Sequence, residues 1–238
     1  MSRRTAWSFA VATLVYVVWL GAHWLPLDYS DKEFGGFVSR LWDLRREWSE
    51  TGQLAWWTPF YMSGSSYGLH HSQGLYLPVA WVLAQWFDPL VAVKLTALLA
   101  VAAGGLAMYG CARYFFGDHP HASWAAWLAG AAYLVHPQQI IRAAGAEHLG
   151  IIVFMPFVPL SWWAVGRLLD RGSSGDTVAA ACAVAGSMWA HNKMAFVNVL
   201  FLAGFFAYRL LGQPPSDRWQ FARRATLRVV GAGVLAAL

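Results

Sequence analysis

The sequence predicts an all-α, polytopic membrane helix bundle of about six full spans plus a truncated seventh, and composition is the first reason. Of 238 residues, 58% are hydrophobic and only 12% are charged, about half the charged share of a soluble domain. The second reason is a repeated spacing. Apolar runs recur at close to the twenty or so residues that cross a roughly 30 Å hydrocarbon layer at 1.5 Å per residue. Fifteen tryptophans are the third, because amphipathic rings gather where apolar and wet regions meet. Membrane lipids are therefore the expected surroundings, and no nucleic-acid partner is expected.

The first run, Ala6 to Leu25, follows Arg3 and Arg4 as a secretory signal would. It is too long for a signal core and lacks a small-residue cleavage site after it, so it reads as a retained span. Lys94 and Arg113 enclose eighteen uncharged residues, and His148 and Arg167 enclose eighteen more. A third helix is expected from near Ala122 to near Val135, since His136-Pro137 disfavours helix beyond that point. Asp176 to Lys193 and Lys193 to Arg209 enclose sixteen and fifteen residues, a short hairpin pair with His191-Asn192-Lys193 at its tip. Ten apolar residues, Val229 to Leu238, read as half of a further span, so 1–238 is expected to be a single transmembrane domain from the N-terminal part of a longer chain. Cys111 and Cys182 both sit in apolar runs and read as core packing, with no disulfide framework.

Counting Lys and Arg orients the bundle. With a cytoplasmic N-terminus, ten fall on the inner side (Arg3 and Arg4 to Arg228) and six on the outer (Lys32 to Lys193). The positive-inside rule favours this arrangement; the chain is expected in the inner (cytoplasmic) membrane, with any chemistry on the extracytoplasmic face. The first outer loop, 27–74, is then the long one. In it Phe37, Leu41, Leu44 and Trp48 recur at i, i+4, i+7 and i+11, with Arg40, Asp43, Arg46 and Glu47 expected on the other side, as in an amphipathic interfacial helix. Glycines and aromatics follow, and Leu75 to Phe87, ending at Asp88-Pro89, reads as a half-helix or re-entrant piece.

An N-terminal span, the acidic cluster Asp28, Asp31 and Glu33 just past its outer end, an amphipathic helix, and "GQLAWWTPFYMSG" with Gly52, Leu54, Trp57, Pro59 and Gly64 together resemble the first third of GT-C superfamily glycosyltransferases. The bacterial branch of YfhO-type and 6-pyruvoyl-tetrahydropterin-synthase-related membrane proteins is the nearest in layout. The resemblance covers about Ala6 to Lys193. It implies hexosyl or pentosyl transfer from a polyprenyl-phosphate donor on the outer face, with an acid of the first outer loop central to catalysis. It also gives Glu147-His148 of the second outer loop the place of a second acidic motif. Asp28 and Asp31 do not form a strict D-x-D, so the pattern departs from the family there.

The chemistry asks for the same residue types. An acceptor hydroxyl needs a carboxylate in hydrogen-bond reach to take its proton as it attacks the anomeric carbon; Asp31 is the first candidate, Asp28 the second, and Glu147 the third. The leaving lipid phosphate needs cations or donors, offered by Arg142, Lys193, His148 and His191, or a divalent cation, Mg or Mn, held by Asp28 and Asp31. Glu33, Trp57 and His70 complete the expected substrate contacts. Plain roles compete with each of these. The acids could cap or solvate helix ends, and His70-His71 could be polar filler in a glycine-rich loop. The acceptor could be glycan, lipid or protein. A non-catalytic envelope scaffold or a polyprenyl-lipid transporter is the alternative reading, the transporter disfavoured by the scarcity of ionisable residues inside spans and the lack of an internal repeat.

Overall fold

The computed structural model describes residues 3–26, 32–52, 57–58, 65–66, 76–136 and 149–237. Among them lie ten α-helices and one two-residue antiparallel pairing. In chain order these are α1 (Arg3–Trp24), α2 (Lys32–Thr51), β1 (Trp57–Thr58), β2 (Ser65–Ser66), α3 (Tyr76–Leu83), α4 (Pro89–Phe116) and α5 (Ala122–Leu134), followed by α6 (Leu149–Phe154), α7 (Phe157–Asp170), α8 (Ser174–Ala190), α9 (Asn192–Leu211) and α10 (Arg218–Ala237). Trp57 pairs with Ser66 and Thr58 with Ser65.

Four helical stretches are long and apolar enough to cross a membrane: Arg4–Trp24, Pro89–Phe116, Gly150–Asp170 and Lys193–Leu211. The other three expected spans are shorter or more polar. α5 has 13 residues, about 20 Å of helix, α8 has 17, and α10 carries Arg218, Arg223, Arg224 and Arg228 between its start and its middle. The run expected as half a span is thus the second half of a 20-residue helix.

Which faces are dry shows what solvent the bundle suits. On α1, Trp7 (71% exposed), Val11, Leu14, Val15, Val18 and Trp19 form an outward stripe, while Phe9, Thr13, Leu20 and Trp24 are buried. A surface of this kind is stable against lipid chains and costly against water. Helices in lipid gain little from hydrophobic burial against one another, so close van der Waals approach carries their association. α4 and α5 meet at Gly105 and Gly130, where a Cβ on Gly130 would lie 2.4 Å from Phe9 Cζ and 3.1 Å from the Gly105 carbonyl. The Phe9 ring fills the resulting notch, stacked on Tyr109 at 4.8 Å and edge-on to Trp127 at 5.9 Å. Gly130→Val is therefore expected to destabilise the bundle by about 1–3 kcal/mol, read as a lowered unfolding midpoint in detergent. Gly110→Ala, where a Cβ meets nothing within 4 Å, is the control expected to leave the midpoint nearly unchanged.

The span expected to run unbroken after His148 is in fact two helices, α6 and α7, parted at Met155-Pro156. Pro156 has no N–H to give to Ile152, and its ring crowds that carbonyl. The Tyr133 hydroxyl of α5 donates to the Met155 carbonyl at 2.7 Å, which satisfies backbone exposed by the break. Further along, Asn198 of α9 donates to Ser161 at 2.9 Å and accepts from Trp162 Nε1 at 3.2 Å, a small polar tie between α7 and α9. Cys111 is buried as expected, but Cys182 is exposed: it lies on the face of α8 turned away from its neighbours, and both thiols are free.

The C-terminal ends of α4, α7 and α9 meet at one end of the bundle and the C-terminal end of α1 meets the start of α4 at the other, so the two ends differ chemically. At one end, C-terminal to α7 and α9, Asp170 accepts from both Tyr114 and Arg209. Beside it Arg167 pairs with Asp176 at 2.8 Å, and Ser173 and Asp176 form a reciprocal cap on α8. The other end bears the long loop.

Candidate functional site

The loop end is assembled by one apolar core that joins elements far apart in sequence. Trp24 of α1, Phe37 and Leu41 of α2, Ala80 of α3 and Ala84 just after it, Ala92 and Val93 of α4, Ile152 and Val153 of α6, and Ala190 and Ala195 at the α8–α9 tip share a single buried cluster. α2 presents Phe37, Leu41 and Leu44 inward, as its periodicity predicts. Trp48 is exposed and packs edge-on against Trp81 of α3 at 5.4 Å. Arg40, expected on the polar side, is buried at 4% exposure. Its position explains why: it is three residues after Phe37 and four before Leu44, so it falls on their stripe.

Lys94 is the central feature of this end. It is fully enclosed at 0% exposure, although it belongs to a helix otherwise apolar for most of its length. Its Nζ donates to the Leu25 carbonyl at 3.1 Å and the Trp24 carbonyl at 3.3 Å, and stands 6.0 Å from the Trp24 ring centroid. The last carbonyls of a helix lack partners within the helix and carry its negative dipole end, so a cation there satisfies both needs. Lys94 thus fixes the point where the chain leaves α1, three residues before Asp28. Asp88 caps α4 by accepting from Leu90 N at 2.8 Å, with Pro89 at its first position. That start places Lys94 about 7.5 Å inside the helix, not at its surface end.

At the α8–α9 tip, His191 alone separates two helices. It ends α8 with its backbone N–H bonded to the Ser187 carbonyl and caps α9 by accepting from Met194 N at 3.3 Å. Lys193, in the first turn of α9, is exposed.

Of the residues expected to act on substrate, Asp28, Asp31, His70, Arg142, Glu147 and His148 lie outside the described residues. Glu33 is in the first turn of α2 and Trp57 in β1, each described by its backbone only. The flanking elements do converge: Leu25 before the acidic segment, Leu149–Phe154 directly after Glu147-His148, and the His191 tip all border the same core. Among the described residues no group of three His, Cys, Asp or Glu side chains is placed to hold a metal ion. Asp28 and Asp31, the expected Mg or Mn ligands, are not among them.

Lys94 and Arg40 are the residues that sequence reading passed over. Lys94 served as a span boundary, which assigned it to the surface; the signal against that was Asp88-Pro89, a cap followed by a first-turn proline, five residues earlier.

Fold and surface define a membrane-embedded, all-helical protein apart from the β1–β2 pairing. No protein-family model, curated protein or solved structure matches the chain.

Proposed function

We propose that this protein is a GT-C-like membrane glycosyltransferase, acting from the loop end of the bundle on a polyprenyl-phosphate-linked hexose or pentose. The acceptor hydroxyl, on a glycan, lipid or protein, gives its proton to Asp31 as its oxygen bonds to the anomeric carbon. The bond from that carbon to the phosphate oxygen breaks, and the electron pair leaves with polyprenyl phosphate. Asp28 and Glu147 are the other acids of the site. Glu33, Trp57, His70, Arg142, His148, His191 and Lys193 contact substrate.

The observation that carries this reading is Lys94. An ammonium enclosed in a membrane helix is expensive and marks function more often than packing, and this one stands where the acidic segment leaves α1. A fixed cation there favours ionised carboxylates nearby and opposes the negative charge that builds on a leaving phosphate. The shared core beneath α2, α6 and the α8–α9 tip supports it as well, since the elements that precede or follow each proposed acid all border that core. The test is sugar release from a polyprenyl-phosphate donor by the protein in nanodiscs, with and without a chelator. Donor turnover is the expected result, and its absence with every acceptor class favours the scaffold reading.

Orientation has its own test. On the positive-inside assignment, Ser72→Cys and Ala144→Cys in a Cys182→Ala background are expected to react with a membrane-impermeant thiol reagent added outside intact cells. Ser174→Cys, an exposed position beside the Ser173 cap, is expected to react only after lysis. Labelling of Ser174→Cys in intact cells would place the acidic loop in the wrong compartment.

A further inference from the structure

A groove of about 370 Å³ lies between α7, α8, α9 and α10. Thr226 is the one polar residue among its lining, and the walls run from Val199 and Gly233 down to Leu168 and Phe206. Seven residues separate Val199 from Phe206 on α9 and Thr226 from Gly233 on α10, so the groove follows the helix axes for about 10 Å.

Its lower end is marked by arginine. Arg228 donates to the Leu169 and Leu168 carbonyls at 3.2 and 3.3 Å, capping the last turn of α7. Helical side chains point back toward the N-terminus of their own helix, so the first turns of α10 reach past the end of α7. Arg223 lies on the same face of α10 as Thr226, one turn nearer its start, and both Arg223 and Arg224 are exposed. Trp219, 76% exposed, adds an aromatic ring at that level. Asp170 pairs with Arg209 and Asp176 with Arg167, and Asp217, directly before α10, accepts from the Ser216 hydroxyl.

We propose that this groove and Arg223 form a site for an anionic phospholipid, with one acyl chain against Leu168, Phe206 and Gly233 and the headgroup phosphate on Arg223. Charge complementarity selects this occupant. The walls accept only hydrocarbon, while Arg223 offers an exposed guanidinium one turn beyond Thr226 on the groove's side of α10, where an anionic headgroup is favoured. The site is independent of the proposed transferase chemistry at the other end.

The experiment is native mass spectrometry of the full chain extracted from nanodiscs of phosphatidylglycerol or phosphatidylcholine. The wild type is expected to retain phosphatidylglycerol in preference. Arg223→Gln should lower that retention about fivefold, the worth of one charge near the surface, while Arg223→Lys keeps it and Arg224→Gln, on the opposite face of α10, leaves it nearly unchanged. Gly233→Leu extends into space where a Cβ meets nothing within 4 Å; it should abolish retention with Arg223 present and helix content by circular dichroism unchanged. Equal retention of the two lipids by the wild type would overturn the proposal. So would unaltered retention in Gly233→Leu, whether the oligomeric state stays the same or changes, the latter assigning the groove to a second copy of the chain.

Discussion

Asp31→Asn is expected to lower sugar transfer by roughly 10²- to 10⁴-fold, the usual worth of a positioned general base, with membrane expression and donor binding retained. Asparagine keeps the size and hydrogen bonding of aspartate but cannot accept the proton. Asp28→Asn should fall as far only if the two carboxylates hold one cation together or if Asp28 is the base. Chelator sensitivity in the wild type separates those two cases. A carboxylate that merely caps a helix predicts something else: stability falls by about 1 kcal/mol and turnover per folded molecule stays intact. Near wild-type turnover in both single mutants and in the double mutant would leave the envelope scaffold as the better reading.

What could be read from sequence was whatever depends on local periodicity or on one punctuating residue. α5 begins at Ala122 and ends at Leu134, within a residue of where His136-Pro137 set it. The inward stripe of α2 follows from Phe37, Leu41 and Leu44, because a 3.6-residue period decides which side chains share a face. The break between α6 and α7 was also written in the chain, as Pro156. An uncharged run hid it, since hydropathy counts proline as just another residue inside the span. The His191 junction escaped for a different reason. A single side chain that ends one helix and caps the next leaves no loop composition to detect.

Charge counting misled at Lys94 and Arg40. Bounding a span at Lys94 and setting Arg40 on the polar side of α2 both assume that cations sit in water, and both of these are buried. The assumption fails where a third element supplies acceptors, as the carbonyls of Trp24 and Leu25 do for Lys94. Nothing within α4 itself encodes those partners, which come from about seventy residues earlier. For the candidate site, sequence supplied the acids and the structure supplies the enclosed cation beside their point of entry. His191 turns out to have a helix-capping duty in addition to any contact with substrate.

Lys94→Met should cost both stability and transfer, and comparing the two losses decides what the lysine is for. Methionine keeps the length and most of the volume, so the loss isolates charge and hydrogen bonding. Two opposing effects meet here. Enclosing an ammonium carries a desolvation cost that an apolar isostere removes. Against this, each hydrogen bond from a charged donor is worth about 1.5–3 kcal/mol, and Trp24, whose carbonyl would lose its donor, is itself buried. The second effect is expected to win, with a net destabilisation of about 2 kcal/mol measured as a lowered unfolding midpoint. If Lys94 only fastens α1 to α4, turnover per folded molecule survives. If it also holds negative charge at the reaction centre, turnover falls by about 10² or more, with the larger change in kcat. Lys94→Arg sharpens the distinction, because a planar guanidinium is a poor replacement for a point charge in a fully closed space. It should recover part of the stability and little of the transfer, whereas full recovery of both would reduce Lys94 to a helix fastener and return the burden of charge stabilisation to Arg142, Lys193 and the histidines.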